Sequence, residues 1–447
     1  MSLKEKLENV MAQAVEDCEI AGMNLLAEKD GEEICYCQAG MADRERGIPM
    51  ERDTILRLYS QSKPITAAAA MILMERGALD LDQPVSDFLP AFAKQFYFAE
   101  QEGIGEAAAG GSKKEQEGIG EAAAGGSKKE QEGIGEAAAG GSKKEGKGRE
   151  DVSAMEVRPV MQPMRVYDLL RMTSGLVYPD ETTAAGRQAA VVFEEMDRRL
   201  YTKDAMTTKE AAVKLAGCTL AFEPGSSWRY GTSADVLGAV IEAASGQRFG
   251  EFLEKELFGP LGMKDTAFWV PREKQSRLAE TYETVIENGK KTLLRYEGNN
   301  LAVCNRMQNP PAFESGGAGL SSTLDDYMRF ARMLLQEGTL NGARILKPAT
   351  VRYMTGAELM EYQQSAFNHW IGLEGFSYGN LMRICKRPMQ AGIFAAEGEY
   401  GWDGWLGTYF ANFPKEKLTI LMGIQKRDAG TFALTRKLRN LLVAEVL

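Results

Sequence analysis

The stretch from Arg57 to Gly77, RLYSQSKPITAAAAMILMERG, constrains this chain more than any other. Pro64 is tolerated only in a first helical turn, where its missing N–H would have had no intrahelical partner, so the spacing predicts a helix that begins close to Ser60. Gly77 suits the position just past the end of that helix. Between them Ile65, Ala67 to Ala70, Met71, Ile72, Leu73 and Met74 are apolar around the whole circumference. That is the pattern of a helix enclosed by protein. A hydroxyl and an amine at its mouth, Ser60 and Lys63, are therefore expected to sit apart from bulk water.

Residues three apart share one helical face, so Ser60 and Lys63 can reach each other. A serine hydroxyl is a poor nucleophile until a base takes its proton, and a lysine removed from water gives up its charge more readily. The helix start adds backbone N–H groups that favour developing negative charge. The plainer alternative is a capping serine followed by a solvated lysine, and the pair alone does not decide between them.

The 447 residues could hold two or three domains, or one large catalytic domain with an insertion. A composition that is 44% hydrophobic and 26% charged is that of an ordinary globular protein. The formal net charge of −10 argues against nucleic acid and other polyanions as partners, since phosphate binding needs clustered Lys and Arg. The N-terminal segment has amphipathic spacing (Leu7, Val10, Met11, Val15) and interleaved charges, which predicts a surface helix and a cytoplasmic protein. No apolar run reaches the length of a membrane span. Cys18, Cys35, Cys37, Cys218, Cys304 and Cys385 are scattered and expected to be free thiols; Cys35 and Cys37 would share a strand face, without the further ligands of a metal site.

Gly22 to Gly40 reads as a hairpin turning at Asp30-Gly31, and LDLDQPVSDFLPAF after the buried helix reads as extended and loop. Residues 100–144 then hold three identical copies of the 15-residue unit EQEGIGEAAAGGSKK. Each has one large apolar residue (Ile104, Ile119, Ile134), too little to bury a core, so the repeats are expected to be an insertion foreign to the fold. Helical patterns resume at VYDLLRMTSGL and continue through Ser233 to Gly246 and Phe249 to Gly262. Beyond Pro311 a helix at LDDYMRFARMLLQEG precedes strand-like WIGLEGF, NLMRICK, TYFANF and LTILMGIQ, and a helix closes the chain.

Two further stretches bear on Ser60 and Lys63. In PGSSWRYGTSADVLG, Tyr230 and Thr232 directly precede a helix, and a phenol there could shuttle a proton without histidine. In EYGWDGWLGTYF, Trp402, Asp403 and Gly404 precede an apparent strand, whose edge could offer a second oxyanion N–H. A rival nucleophile, Ser377, sits in Gly-Phe-Ser-Tyr-Gly, the pattern of an α/β-hydrolase elbow. That mechanism needs a histidine after the serine, and the single histidine, His369, precedes it. One histidine is also too few for the common imidazole zinc sites.

The ordered set SQSKPIT, LLRMTSGL, PGSSWRYGTSADVLGAVIE, FGPLGMKDTAF, SGGAGLSST and GWDGWLGTYF resembles the serine β-lactamase and penicillin-binding-protein superfamily. The likeness is greatest to the class C β-lactamase group and its carboxylesterase branch. It implies an α/β fold with an antiparallel sheet flanked by helices, strands coming from both termini, and a mainly helical region. Residues 1–60 and 310–447 would form the α/β part and 61–309 the helical part of one catalytic domain, with the active site where they meet. The resemblance implies Ser60 as acylated nucleophile, Lys63 as its base and Tyr230 as the proton-shuttling tyrosine. The backbone N–H groups of Ser60 and Trp405 would form the oxyanion hole. Thr232, Trp402, Asp403 and Gly404 would face substrate; no metal and no cofactor is needed. Thr232 stands where β-lactamases usually carry asparagine, and Trp402 where they carry a lysine or histidine, so the cation for a β-lactam carboxylate is missing, and Asp403 adds a negative charge nearby. With Trp228, Tyr230, Tyr400, Trp402 and Trp405 as aromatic walls, the expected activity is a serine carboxylesterase on small neutral esters. A β-lactamase, D-amino-acid peptidase or acyltransferase of the same fold, and a non-catalytic ligand-binding member, stay open.

Overall fold

The mainly apolar run Leu418–Ile424, interrupted by the hydrogen-bonded Thr419, is buried at every position, as a central strand covered on both faces must be. The computed structural model describes residues 1–99, 155–287, 289–430 and 432–447; the repeat unit at 100–144 lies outside them. One eight-stranded antiparallel sheet is formed by Gly22–Lys29 (β1), Glu32–Asp43 (β2), Ile48–Pro49 (β3), Phe376–Tyr378 (β4), Arg383–Cys385 (β5), Tyr400–Asp403 (β6), Tyr409–Phe413 (β7) and Leu418–Ile424 (β8). Its order is β4-β5-β6-β7-β8-β1-β2-β3. The pairing of β1 with β8, Met23 opposite Ile424 through Lys29 opposite Leu418, joins strands from the two ends of the chain. The expected hairpin is present, and both turn residues have positive φ, Asp30 at 54° and Gly31 at 85°. Such a turn matches the twist of the strands it joins.

Leu3–Glu16 (α1) covers one face of the sheet together with the C-terminal helix Ala433–Val446. Leu7, Met11 and Ala14 meet Leu434, Leu438 and Leu442 there, over Leu25, Ile420 and Met422. A fully buried ion pair, Arg439 with Glu399, ties the C-terminal helix to the entrance of β6, with Arg439 Nη2 2.7 Å from Glu399 Oε2. The larger apolar core lies on the other face. It encloses Lys63–Glu75 (α2), in which every residue from Lys63 to Leu73 is buried. Ser233–Ser245 (α3) packs beside it. No helix among the described residues is long and apolar enough to cross a membrane.

Several local expectations are corrected. The α-helix starts at Lys63; a 3-10 turn, Tyr59–Ser62, carries Ser60 into it. Gly77 does close it, at φ 69°. The segment expected to be extended after Gly77 contains a helical turn, Val85–Phe88, and a 3-10 turn, Pro90–Ala93. In WIGLEGF only Phe376 enters a strand; Trp370 to Gly375 is a turn region, and NLMRICK pairs only over Arg383–Cys385. The largely helical stretch before Pro311 also holds a hairpin, Tyr282–Glu287 with Lys290–Arg295, that the periodicity did not reveal.

Candidate active site

The chain enters the site along Leu56–Arg57, which pairs with Ser321–Ser322. The Arg57 guanidinium is buried with no ion pair among the described residues, donating to the carbonyls of Asn305 and Ala279 at 2.5 Å each. Burial pushes it down to about 10. Tyr59 then takes φ 45°, a left-handed conformation that costs an aromatic residue about 1–3 kcal/mol. Its ring is held edge-on against Trp405 at 4.9 Å between centroids. This bend sets Ser60, half-buried, at the opening of the 3-10 turn.

Lys63 has no solvent exposure. Its Nζ lies 3.1 Å from Ser60 Oγ, 3.1 Å from Tyr178 Oη and 2.8 Å from the carbonyl oxygen of Gly317. It also stands over the Tyr230 ring, 4.6 Å from the centroid. The plainer alternative of a solvated lysine is therefore excluded. Tyr230 itself is buried, and its Oη accepts a hydrogen bond of 2.9 Å from Trp402 Nε1. The two tyrosine rings meet edge-on at 5.7 Å, so Lys63 is flanked by a pair of phenols.

Trp402 thus turns its one polar atom to Tyr230. Around them Trp228, Trp370 and Tyr378 close an aromatic cluster, with Trp370 5.2 Å from Tyr230 and Tyr378 5.1 Å from Trp402. Trp405, expected beside them, lines a separate wall with Tyr59 and Tyr296, its Nε1 donating to Asp428 at 2.7 Å. Tyr400 lies further along β6, against Phe410 and bonded to Asn412, outside the cluster. Thr232 is fully buried just ahead of α3, and its hydroxyl has no hydrogen-bond partner among the described residues. Asp403 pairs with the buried Arg383, Nη1 to Oδ1 3.2 Å, so its charge has a cation beside it.

Gly404 explains how β6 comes so close to the nucleophile. A Cβ there would meet Leu58 O at 2.2 Å and Thr408 Oγ1 at 2.3 Å, while Thr408 Oγ1 itself donates to Leu58 O at 3.0 Å. The turn that carries Trp405 is in this way bolted to the residue two before Ser60. Gly404→Ala is expected to lower kcat about tenfold or more with a smaller change in KM, because it would displace Trp405, whose N–H the family resemblance assigns to the oxyanion, and such a donor acts mainly in the transition state. Steady-state ester kinetics on the purified variant check this.

Ser377 lies in the β4–β5 hairpin, buried, with its Oγ accepting from Leu359 N at 3.1 Å. It sits in a short strand that a tight turn joins to the next strand, so it lacks the elbow's strand-to-helix setting. His369 is exposed. Cys35 and Cys37 are buried on one face of β2 as free thiols. Among the described residues no group of three or more His, Cys, Asp or Glu could hold a metal ion. Three members of the site were missed from sequence. Tyr178, four residues past Ser174 of LLRMTSGL, and Trp370 both stand in loops, where no periodicity marks a position. The third is the Gly317 carbonyl, a backbone group, although SGGAGLSST already stood out as glycine-rich.

Comparison with known proteins bears on the family and the fold. The family model described as Beta-lactamase matches residues 7–111 and 155–445. Protein Rv1367c of Mycobacterium tuberculosis is 28% identical over 394 residues, 87% of this chain and 81% of that protein. Esterase EstB of Burkholderia gladioli is 27% identical over 420 residues, 91% of this chain and 86% of that protein. Among solved structures, EstCE1, a hydrolase with promiscuous acyltransferase activity, superposes with a TM-score of 0.69 at 22% identity, covering 99% of this chain and 98% of its own. The expected fold, an antiparallel sheet fed from both termini and flanked by helices, is present here and shared with EstCE1. A family match over most of the chain, on a scaffold that buries a lysine against a serine, leaves one conclusion: this chain belongs to the Beta-lactamase family and is a serine hydrolase.

Proposed function

We propose that the chain is a carboxylesterase for small neutral esters, working through an acyl-enzyme on Ser60. Ser60 Oγ attacks the ester carbonyl as its proton passes to Lys63, 3.1 Å away. The backbone N–H groups of Ser60 and Trp405 hold the oxyanion. Tyr230, with Tyr178 beside it, carries the proton to the departing alkoxide, and water then releases the acyl group by the reverse sequence.

The observation that carries the ester reading is the bond from Trp402 Nε1 to Tyr230 Oη at 2.9 Å. A β-lactam carboxylate needs a cation at this place, and here stands an indole whose only donor is committed to a neighbour. A neutral ester asks for no such charge, and the ring faces of Tyr230, Trp402 and Trp370 suit an apolar acyl or alcohol group. The relatives named esterase support this substrate class. The promiscuous acyltransferase activity of EstCE1 supports an alcohol as a second acceptor beside water. Measured side by side, p-nitrophenyl butyrate is expected to turn over with the larger kcat/KM and nitrocefin with the smaller. The reverse order would sink the ester assignment, and no covalent adduct on Ser60 after fluorophosphonate treatment would favour a non-catalytic binder.

A further inference from the structure

Lys63 sits at the end of a buried chain of hydrogen bonds that begins at a carboxylate. Asp235, on the first turn of α3, is 4% exposed. Its Oδ1 accepts from the Gly317 N–H at 3.0 Å and from the Ser315 hydroxyl at short range. Ser315 Oγ in turn accepts from the Ala318 N–H at 2.9 Å. The carbonyl of that same peptide group, Gly317 O, accepts from Lys63 Nζ at 2.8 Å. We propose that Asp235 is a positioning residue that acts on Lys63 as a remote counter-charge, through the Ser315 hydroxyl and the Gly317–Ala318 peptide group.

The physical basis is polarisation. A peptide whose N–H leans toward a negative acceptor carries more negative charge on its oxygen, and bonds in a chain strengthen one another where water is excluded. The loop has little freedom to relax away. Thr66 Oγ1 donates to Gly316 O at 2.7 Å, and a Cβ on Gly316 would meet Ala234 O at 2.3 Å. Two donors on one oxygen favour the ionised carboxylate. Burial pushes Asp235 above the usual carboxylate range, while the Ser315 bond and the charge of Lys63 pull the other way.

Among the groups that face Lys63 are Ser60 from the 3-10 turn, Tyr178 from the loop after Gly175, Tyr230 from the segment ahead of α3, Asp235 from α3 and the Gly317 carbonyl from the glycine loop. Asp235 is the carboxylate in this set, so it is the member that makes Lys63 easier to protonate and delays its appearance as a free base. The titration is shared across the network, and the acid limb of the reaction reports the network as a unit.

This inference rests on the acyl-enzyme reading, and its test separates the two. The second-order rate of Ser60 labelling by a fluorophosphonate is followed by intact mass against pH for the full chain, Asp235→Asn and Ser315→Ala. Asparagine keeps an acceptor oxygen but not the charge, so the acid limb is expected to move down by about one pH unit, with labelling about tenfold faster below it. Ser315→Ala cuts the relay and keeps the carboxylate, and should move the limb the same way by less. A purely structural role would lower the rate evenly at every pH and leave the limb in place. Limbs that coincide with the wild type in the folded variants overturn the proposal; where circular dichroism shows Asp235→Asn unfolded, Ser315→Ala alone decides. A wild-type chain that takes no label at any pH is a different result, which overturns the acyl-enzyme reading and this inference with it.

Discussion

Ser60→Ala is expected to remove ester turnover by a factor on the order of 10⁴–10⁶, while Ser377→Ala leaves kcat/KM within about twofold of the wild type. The two serines were rivals by motif and are separated by environment. Ser60 has an amine excluded from water 3.1 Å from its oxygen. The Ser377 hydroxyl accepts from a backbone N–H in a buried hairpin, where it ties Leu359 to β4. Removing it should cost about 1 kcal/mol of stability and nothing in chemistry. Parallel assays with p-nitrophenyl butyrate, with thermal melts to confirm folding, check both halves. A Ser377→Ala variant that is inactive yet folded would be fatal to the assignment.

Arg439→Met is expected to be the most damaging single substitution to stability away from the site, by about 3 kcal/mol or more. Arg439 and Glu399 are both fully buried, and Arg439 also donates to Tyr409 Oη at 3.0 Å and to Phe394 O at 2.6 Å. Methionine restores the volume and leaves the Glu399 carboxylate without its main cation. Burial already raises Glu399 above the ordinary carboxylate range, against the pull of Arg439 and Arg383, and loss of Arg439 raises it further. A carboxyl raised in the folded state favours folding least where it must ionise. The variant therefore loses stability as pH rises from the unfolded carboxylate range through the folded value. Melting temperatures at about pH 5 and about pH 8 check the sign: the gap to the wild type should widen at the higher pH.

The first prediction rests on a pair that the sequence itself sets side by side, the second on a partner that no motif names. Ser60 and Lys63 are three residues apart, so their contact follows from local geometry, and Pro64, the apolar circumference and Gly77 place that pair at the head of an enclosed helix. The β1–β2 hairpin, the closing helix and the apolar strand β8 are legible for the same reason: period and turn chemistry are properties of short stretches. The ordered motifs supplied the superfamily as a resemblance. Tertiary structure alone decided the rest. It turned the Trp402 indole onto Tyr230, 172 positions away in sequence. It brought Tyr178 to Lys63, paired Asp403 with Arg383, and let Gly404 slide β6 against Leu58. It also set Trp370 edge-on against Tyr230 where its segment reads as strand. Each of these is a contact between distant segments, selected by packing and by the need to satisfy buried polar groups, and such contacts leave no period in the sequence.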